Sequence, residues 1–178
     1  HQDKGAKPLW TLERARANRF QSNWAEVDIP MPIFMGIKAL PQQPLDQLIP
    51  FIDWSPFFHT WELRGRYPTI LEDPVVGTKA KELYDDALAL LRKIVEQRLF
   101  TANGVYGFFP ANSVGDDIEI YRDDGRTAVL TTFHTLRQQS EKPQGQSSFA
   151  LADFVAPKES GRADYIGAFA VTTGVGVD

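Results

Sequence analysis

Asp53 stands two residues ahead of Ser55-Pro56. That pair suits a helix start, because serine caps free backbone N–H groups and proline fits the first turn. A carboxylate just ahead of such a helix gains roughly 0.3–1 kcal/mol from its dipole, a purely structural role. The alternative is a carboxylate that faces a cleft and bonds a cationic ligand. Asp116-Asp117 resembles an acid/base dyad, but neighbours on a strand point to opposite faces and cannot share a proton, so a turn with Gly115 accounts for them. Asp153 and Asp164 interrupt apolar runs, which makes each either buried with partners or turned toward a cleft. Arg137, Gln138 and Gln139 follow a strand end, where they are expected to bond backbone or a neighbouring module.

Signatures of side-chain catalysis are missing. The chain has no GxSxG elbow, no phosphate-binding loop and no HExxH, and Gly174-Val175-Gly176 lacks the third glycine and following helix of a dinucleotide site. His1, His59 and His134 are too scattered to form a metal site by local spacing. With no cysteine, disulfides, thiolate nucleophiles and thiolate metal ligands are excluded together.

With 178 residues, 43% of them hydrophobic and 12% aromatic, the chain can bury a core of ordinary domain size. A formal net charge of -4 offers no cationic excess for phosphates, so nucleic acid is not an expected partner. Apolar runs such as Ile33–Ile37 fall far short of the roughly 20 residues that span a bilayer, so no membrane contact is expected. The opening HQDKGAKP has neither a starting methionine nor an apolar targeting segment, and reads as part of a longer polypeptide.

These candidates must be positioned by the surrounding elements. Nine of the 12 prolines lie at or before Pro74, which predicts an extended, winding first part with short helices. Thr11 caps a short helix over 11–18, Ile33–Ala39 reads as a strand, and Pro44–Ile52 as a short helix. A helix starting at Ser55 places Trp54, Phe57, Phe58 and Trp61 on one face, as core packing or as a stacking surface for a ligand ring. The longest helix is predicted over Thr78–Gln97, with Ala80, Leu83, Tyr84, Ala87, Leu91, Ile94 and Val95 forming a stripe that should pack on a sheet. Strand periodicity follows at Val105–Phe109, Ile118–Tyr121 and Thr127–Phe133, the last two joined by an Asp124-Gly125 hairpin whose glycine is expected to take a positive φ. After a polar loop at Lys142–Ser148, Phe149–Phe154 and Tyr165–Thr173 read as two more strands. The predicted class is α+β, a mainly antiparallel sheet flanked by helices.

Three stretches also resemble a known family: FIDWSPFFHTWELRGRYPTIL (Phe51–Leu71), FPANSVGDDIEIYR (Phe109–Arg122) and LADFVAPKESGRADYIGAFAV (Leu151–Val171). They are similar to the reactivation domain of cobalamin-dependent methionine synthase, from about Trp10 to the end of the chain. The resemblance implies that residues 1–178 are part of a single activation domain whose C-terminal half is incomplete here, with 1–25 as a linker-like segment. It implies a domain that binds S-adenosylmethionine for reductive methylation of cob(II)alamin, with Asp53, in its Ile-Asp-Trp context, contacting that ligand. It further implies cobalamin and zinc on other modules of the parent protein, and as partners the cobalamin-binding domain and an electron donor, flavodoxin or a flavin reductase, in the cytoplasm. The family's arginine with its glycine-tyrosine pair and a later tyrosine have no counterpart in this sequence, so the fragment alone is expected to bind the ligand weakly or not at all. A different class of reading is a non-catalytic interaction module that keeps the scaffold without the ligand.

Overall fold

The computed structural model describes residues 8–175. The chain divides into two compact units, one of residues 8–38 with 106–168 and the other of 39–105 with 169–175. Its elements in order are helix α1 (Leu12–Ala17), strand β1 (Gly36–Gln43), helices α2 (Trp54–Thr60) and α3 (Gly77–Gln97), and strands β2 (Thr101–Val114), β3 (Asp117–Tyr121), β4 (Val129–His134) and β5 (Asp164–Val175), with short 3₁₀ turns between them. The strands form one mainly antiparallel sheet in the order β1-β2-β3-β4, with β5 also paired to β2, so the α+β expectation holds. No helix among the described residues is long and apolar enough to cross a membrane.

In the first unit, β2, β3 and β4 are antiparallel neighbours, Ala111 opposite Ile120 and Ile118 opposite Phe133. One face of these strands buries Ala111, Ile118 and Ile120 against Ala152 and Val155. The two-residue turn between β2 and β3 places Gly115 at φ 63°, the left-handed region that tight hairpins need and that glycine enters without a Cβ penalty. At the β3–β4 connection the expected signal operates differently. Gly125 is not left-handed; Arg126 is, at φ 52°. The Gly125 N–H donates to Asp123 Oδ1 at 2.9 Å, and a Cβ there would lie 2.9 Å from that same oxygen, so a larger residue would displace the Asp123 side chain. The Arg126 guanidinium compensates for the strained backbone by donating to Ala111 O, Asn112 Oδ1 and Asp164 O at 2.8–3.0 Å.

The expected helix at 11–18 is α1, with the Thr11 hydroxyl accepting from Arg14 N at 3.2 Å. The expected strand at Phe149–Phe154 is not one. Residues Leu151–Phe154 form a 3₁₀ turn, and Leu151 and Phe154, which a strand would turn to opposite faces, are both more than half exposed. Side-chain bonds to Asp153 hold that turn, as described below. β1 begins later than expected, at Gly36, and Ile33 is 98% exposed. It runs through Pro41, which an edge strand tolerates because its missing donor need face no neighbour.

In the second unit, the predicted helix at Pro44–Ile52 is two 3₁₀ turns, Leu45–Gln47 and Ile49–Phe51. The long helix α3 matches its periodicity, but most of its apolar stripe packs on helical elements instead of a sheet. Ala80, Leu83, Tyr84, Ala87 and Leu91 pack with Trp54 and Phe58 of α2 and with Ile70 of a 3₁₀ turn. A buried side chain of this kind contributes about 1.5–3 kcal/mol, so this cluster anchors the unit.

Candidate functional site

Asp53 is the N-cap of α2; the helix starts one residue before Ser55, so aspartate and not serine provides the cap. The chain reaches it from a 3₁₀ turn ending at Phe51 and holds it in extended geometry, φ -81° and ψ 107°, which lets the side chain fold back over the first turn. Asp53 Oδ1 accepts from Ser55 N at 3.0 Å. Asp53 itself is exposed, and among the described residues it has no cationic partner. Its second oxygen, Oδ2, accepts no protein hydrogen bond among them.

The elements behind it are closely packed. Trp54 and Phe58 are buried, and the Trp54 ring meets Tyr84 edge-on at 4.8 Å and Phe57 at 5.4 Å. Core packing therefore accounts for Trp54, Phe57 and Phe58, whereas Trp61, the α2 C-cap, is 61% exposed and stands apart. The Ser55 hydroxyl accepts from Tyr67 N at 3.2 Å, and the Tyr67 and Tyr84 hydroxyls lie 3.1 Å apart. The hydrogen bond with Tyr67 and partial burial raise the Tyr84 phenol above its ordinary value. Sequence reasoning did not find this tyrosine pair, since 17 residues separate its members and no periodicity links them. It also missed Asp73, whose carboxylate accepts from Val76 N and Val75 N just before α3 and is held below the usual carboxylate range by those bonds.

The remaining candidates have structural partners. Asp116 and Asp117 do not share a proton: Asp116 bonds Arg16 and Arg137, and Asp117 lies 3.1 Å from His134. Burial pushes Asp116 upward, but the guanidinium groups of Arg137 and Arg16 outweigh it and hold the carboxyl below its ordinary value. Arg137 has a fully buried side chain that donates to Asp116, Asp153 and Ser148 O, and Gln139 donates to Trp10 O at 2.9 Å. Asp164 accepts from Ala156 N and Tyr165 N, both at 2.7 Å. His59 lies 3.2 Å from Gly65 O, and His1 lies outside the described residues. Among the described residues no three His, Cys, Asp or Glu side chains cluster so as to hold a metal ion.

An exposed carboxylate with one oxygen free of protein donors among the described residues is able to grip a cation. Asp53 is also not part of the recess of the second unit lined by Gln42, Leu45, Val95, Arg98 and Phe100, which has a volume of about 570 Å³.

Two comparisons bear on this site. Residues 44–178 match the family described as vitamin B12 dependent methionine synthase, activation domain. The chain is also similar to a crystal structure of the MetH reactivation domain bound to AdoHcy, at 51% identity and a TM-score of 0.85. That match covers 95% of this chain and 51% of the other, so the chain spans about half the length of its solved relative. Both findings agree with the α+β sheet and with the three sequence stretches noted above, and the chain belongs to the activation-domain family of vitamin B12 dependent methionine synthase.

Proposed function

We propose that this chain forms part of the site at which a cobalamin-dependent methionine synthase binds S-adenosylmethionine for its own reactivation, with Asp53 as a ligand residue. The observation that supports this most is the 51% identical relative, a reactivation domain bound to AdoHcy. The local geometry agrees with it. Asp53 Oδ1 is engaged by Ser55 N while Oδ2 is free of protein donors among the described residues, and no cation neutralises the group. S-adenosylmethionine presents two positive groups, ammonium and sulfonium, and either would complete the carboxylate.

The role of the chain is then to position the methyl donor, which lowers the entropic cost of bringing its methyl carbon to the acceptor. Cobalamin, held by another module of the same polypeptide, supplies the redox and methyl-accepting chemistry at cobalt. The parent protein's zinc, its transfer of methyl from methyltetrahydrofolate to homocysteine in methionine biosynthesis, its flavodoxin or flavin reductase donor and its cytoplasmic setting belong to the same proposal.

Calorimetric titration of S-adenosylmethionine into the full-length parent tests it. Asp53→Asn retains an N-cap and removes the charge. Loss of a charge-assisted bond worth about 1.5–3 kcal/mol should weaken binding roughly 10- to 150-fold with thermal stability unchanged. Equal affinity for wild type and variant would remove Asp53 from the site, and absence of binding to wild type would favour an interaction module without ligand.

A further inference from the structure

Four charged side chains of the first unit form a chain of bonds that the ligand reading does not use. Arg16 Nε, on α1, donates to Asp116 Oδ2 at 2.7 Å. Asp116 Oδ1 accepts from Arg137 Nε at 2.8 Å. Arg137 then donates to Ser148 O at 2.7 Å and to both oxygens of Asp153 at 2.7 and 2.8 Å. Asp153 Oδ2 also accepts from Ala150 N at 2.9 Å, the bond that shapes the 151–154 turn.

Exposure falls sharply from the outer end of this chain inward: the Arg16 side chain is 53% exposed, Asp116 12%, Arg137 0% and Asp153 4%. A guanidinium with no access to water cannot replace a lost carboxylate by hydration, so it responds to any shift of Asp116 by shifting with it. We infer that these side chains form an ionic relay, through which docking of α1 and order of the 148–155 loop are coupled although Arg16 and Asp153 are not bonded to each other. The N-terminal helix thereby biases a loop more than 130 residues away in sequence.

A second, uncharged link joins the same segments: Asn18 O accepts from Ser148 N at 2.9 Å, and Asn18 Nδ2 donates to Gln146 O at 2.8 Å. The test must separate the two. Amide hydrogen exchange on the full chain reads both segments residue by residue, with the α3 amides as internal reference. Arg16→Gln, at a half-exposed position, should speed exchange of the Ala150, Asp153 and Val155 amides roughly 3- to 30-fold while α3 stays unchanged. In an Asp116→Asn background the same substitution should add nothing. An unchanged Ala150 amide in Arg16→Gln overturns the relay. Acceleration that persists in Asp116→Asn overturns it too, and assigns the coupling to Asn18. Should Asp116→Asn fail to fold, Asn18→Ala, which removes the Asn18 Nδ2 bond to Gln146 O and leaves the backbone bond, is the second background: the relay predicts an undiminished Arg16→Gln effect there, and a diminished one overturns it.

Discussion

Carboxylates in the two units have opposite fates. Asp153 in the first unit is 4% exposed and has both oxygens on one guanidinium, whereas Asp53 in the second is exposed with one bond to a backbone N–H. Asp116 resembles Asp153, pairing with Arg137 and Arg16. A charge can be withdrawn from water only where its partners replace the lost hydration, so the buried aspartates are structural parts and are already saturated. A carboxylate left in water with a spare oxygen costs the fold little and retains the capacity to bind. Saturation separates a structural acid from a candidate ligand here, and proximity in sequence does not.

The largest expected effect falls on the saturated side. Arg137→Ala strands two carboxylates and should cost about 3–5 kcal/mol of unfolding free energy, read by denaturant titration. A loss under 1 kcal/mol would mean that water reaches Asp153 and would erase the contrast. On the unsaturated side, Asp53→Ala removes the α2 cap and should cost about 0.5–2 kcal/mol, while Asp53→Asn, which still caps, should leave stability near wild type. Equal losses in the two variants would show the Asp53 charge to be structural.

Acid provides a further comparison. The folded Asp116 carboxyl titrates below its unfolded value near 3.9, so its contribution is complete above that value and fades as pH falls through the lower, folded one. Asp116→Asn should therefore flatten the rise of stability with pH in the region below about pH 4, measured by chemical denaturation. The smallest effect is expected for Arg16→Gln on global stability, about 0–1 kcal/mol because the pair is half in solvent, even where local exchange changes.

Local rules went far in reading this chain. The Thr11 cap, the stripe of α3, the β3–β4 hairpin and β5 each follow from residues a few positions apart, because capping and periodicity act over one or two turns. Asp53 was also visible as an acid ahead of a helix, although the cap was expected at Ser55 and lies at Asp53 itself. Composition excluded thiolate chemistry without any coordinates.

Long-range pairing decided the rest. Phe149–Phe154 reads locally as a strand, yet Asp153 is drawn to Arg137, 16 residues away, and to Ala150 N, and these bonds wind the segment into a turn. The Tyr67–Tyr84 pair, the packing of α3 on α2 and the relay from Arg16 to Asp153 likewise join positions that no periodicity connects. Hydrophobic pattern shows which face of an element seeks burial, but the partner of a buried charge is set by where folding places its nearest counter-charge, and that information is spread over the whole chain.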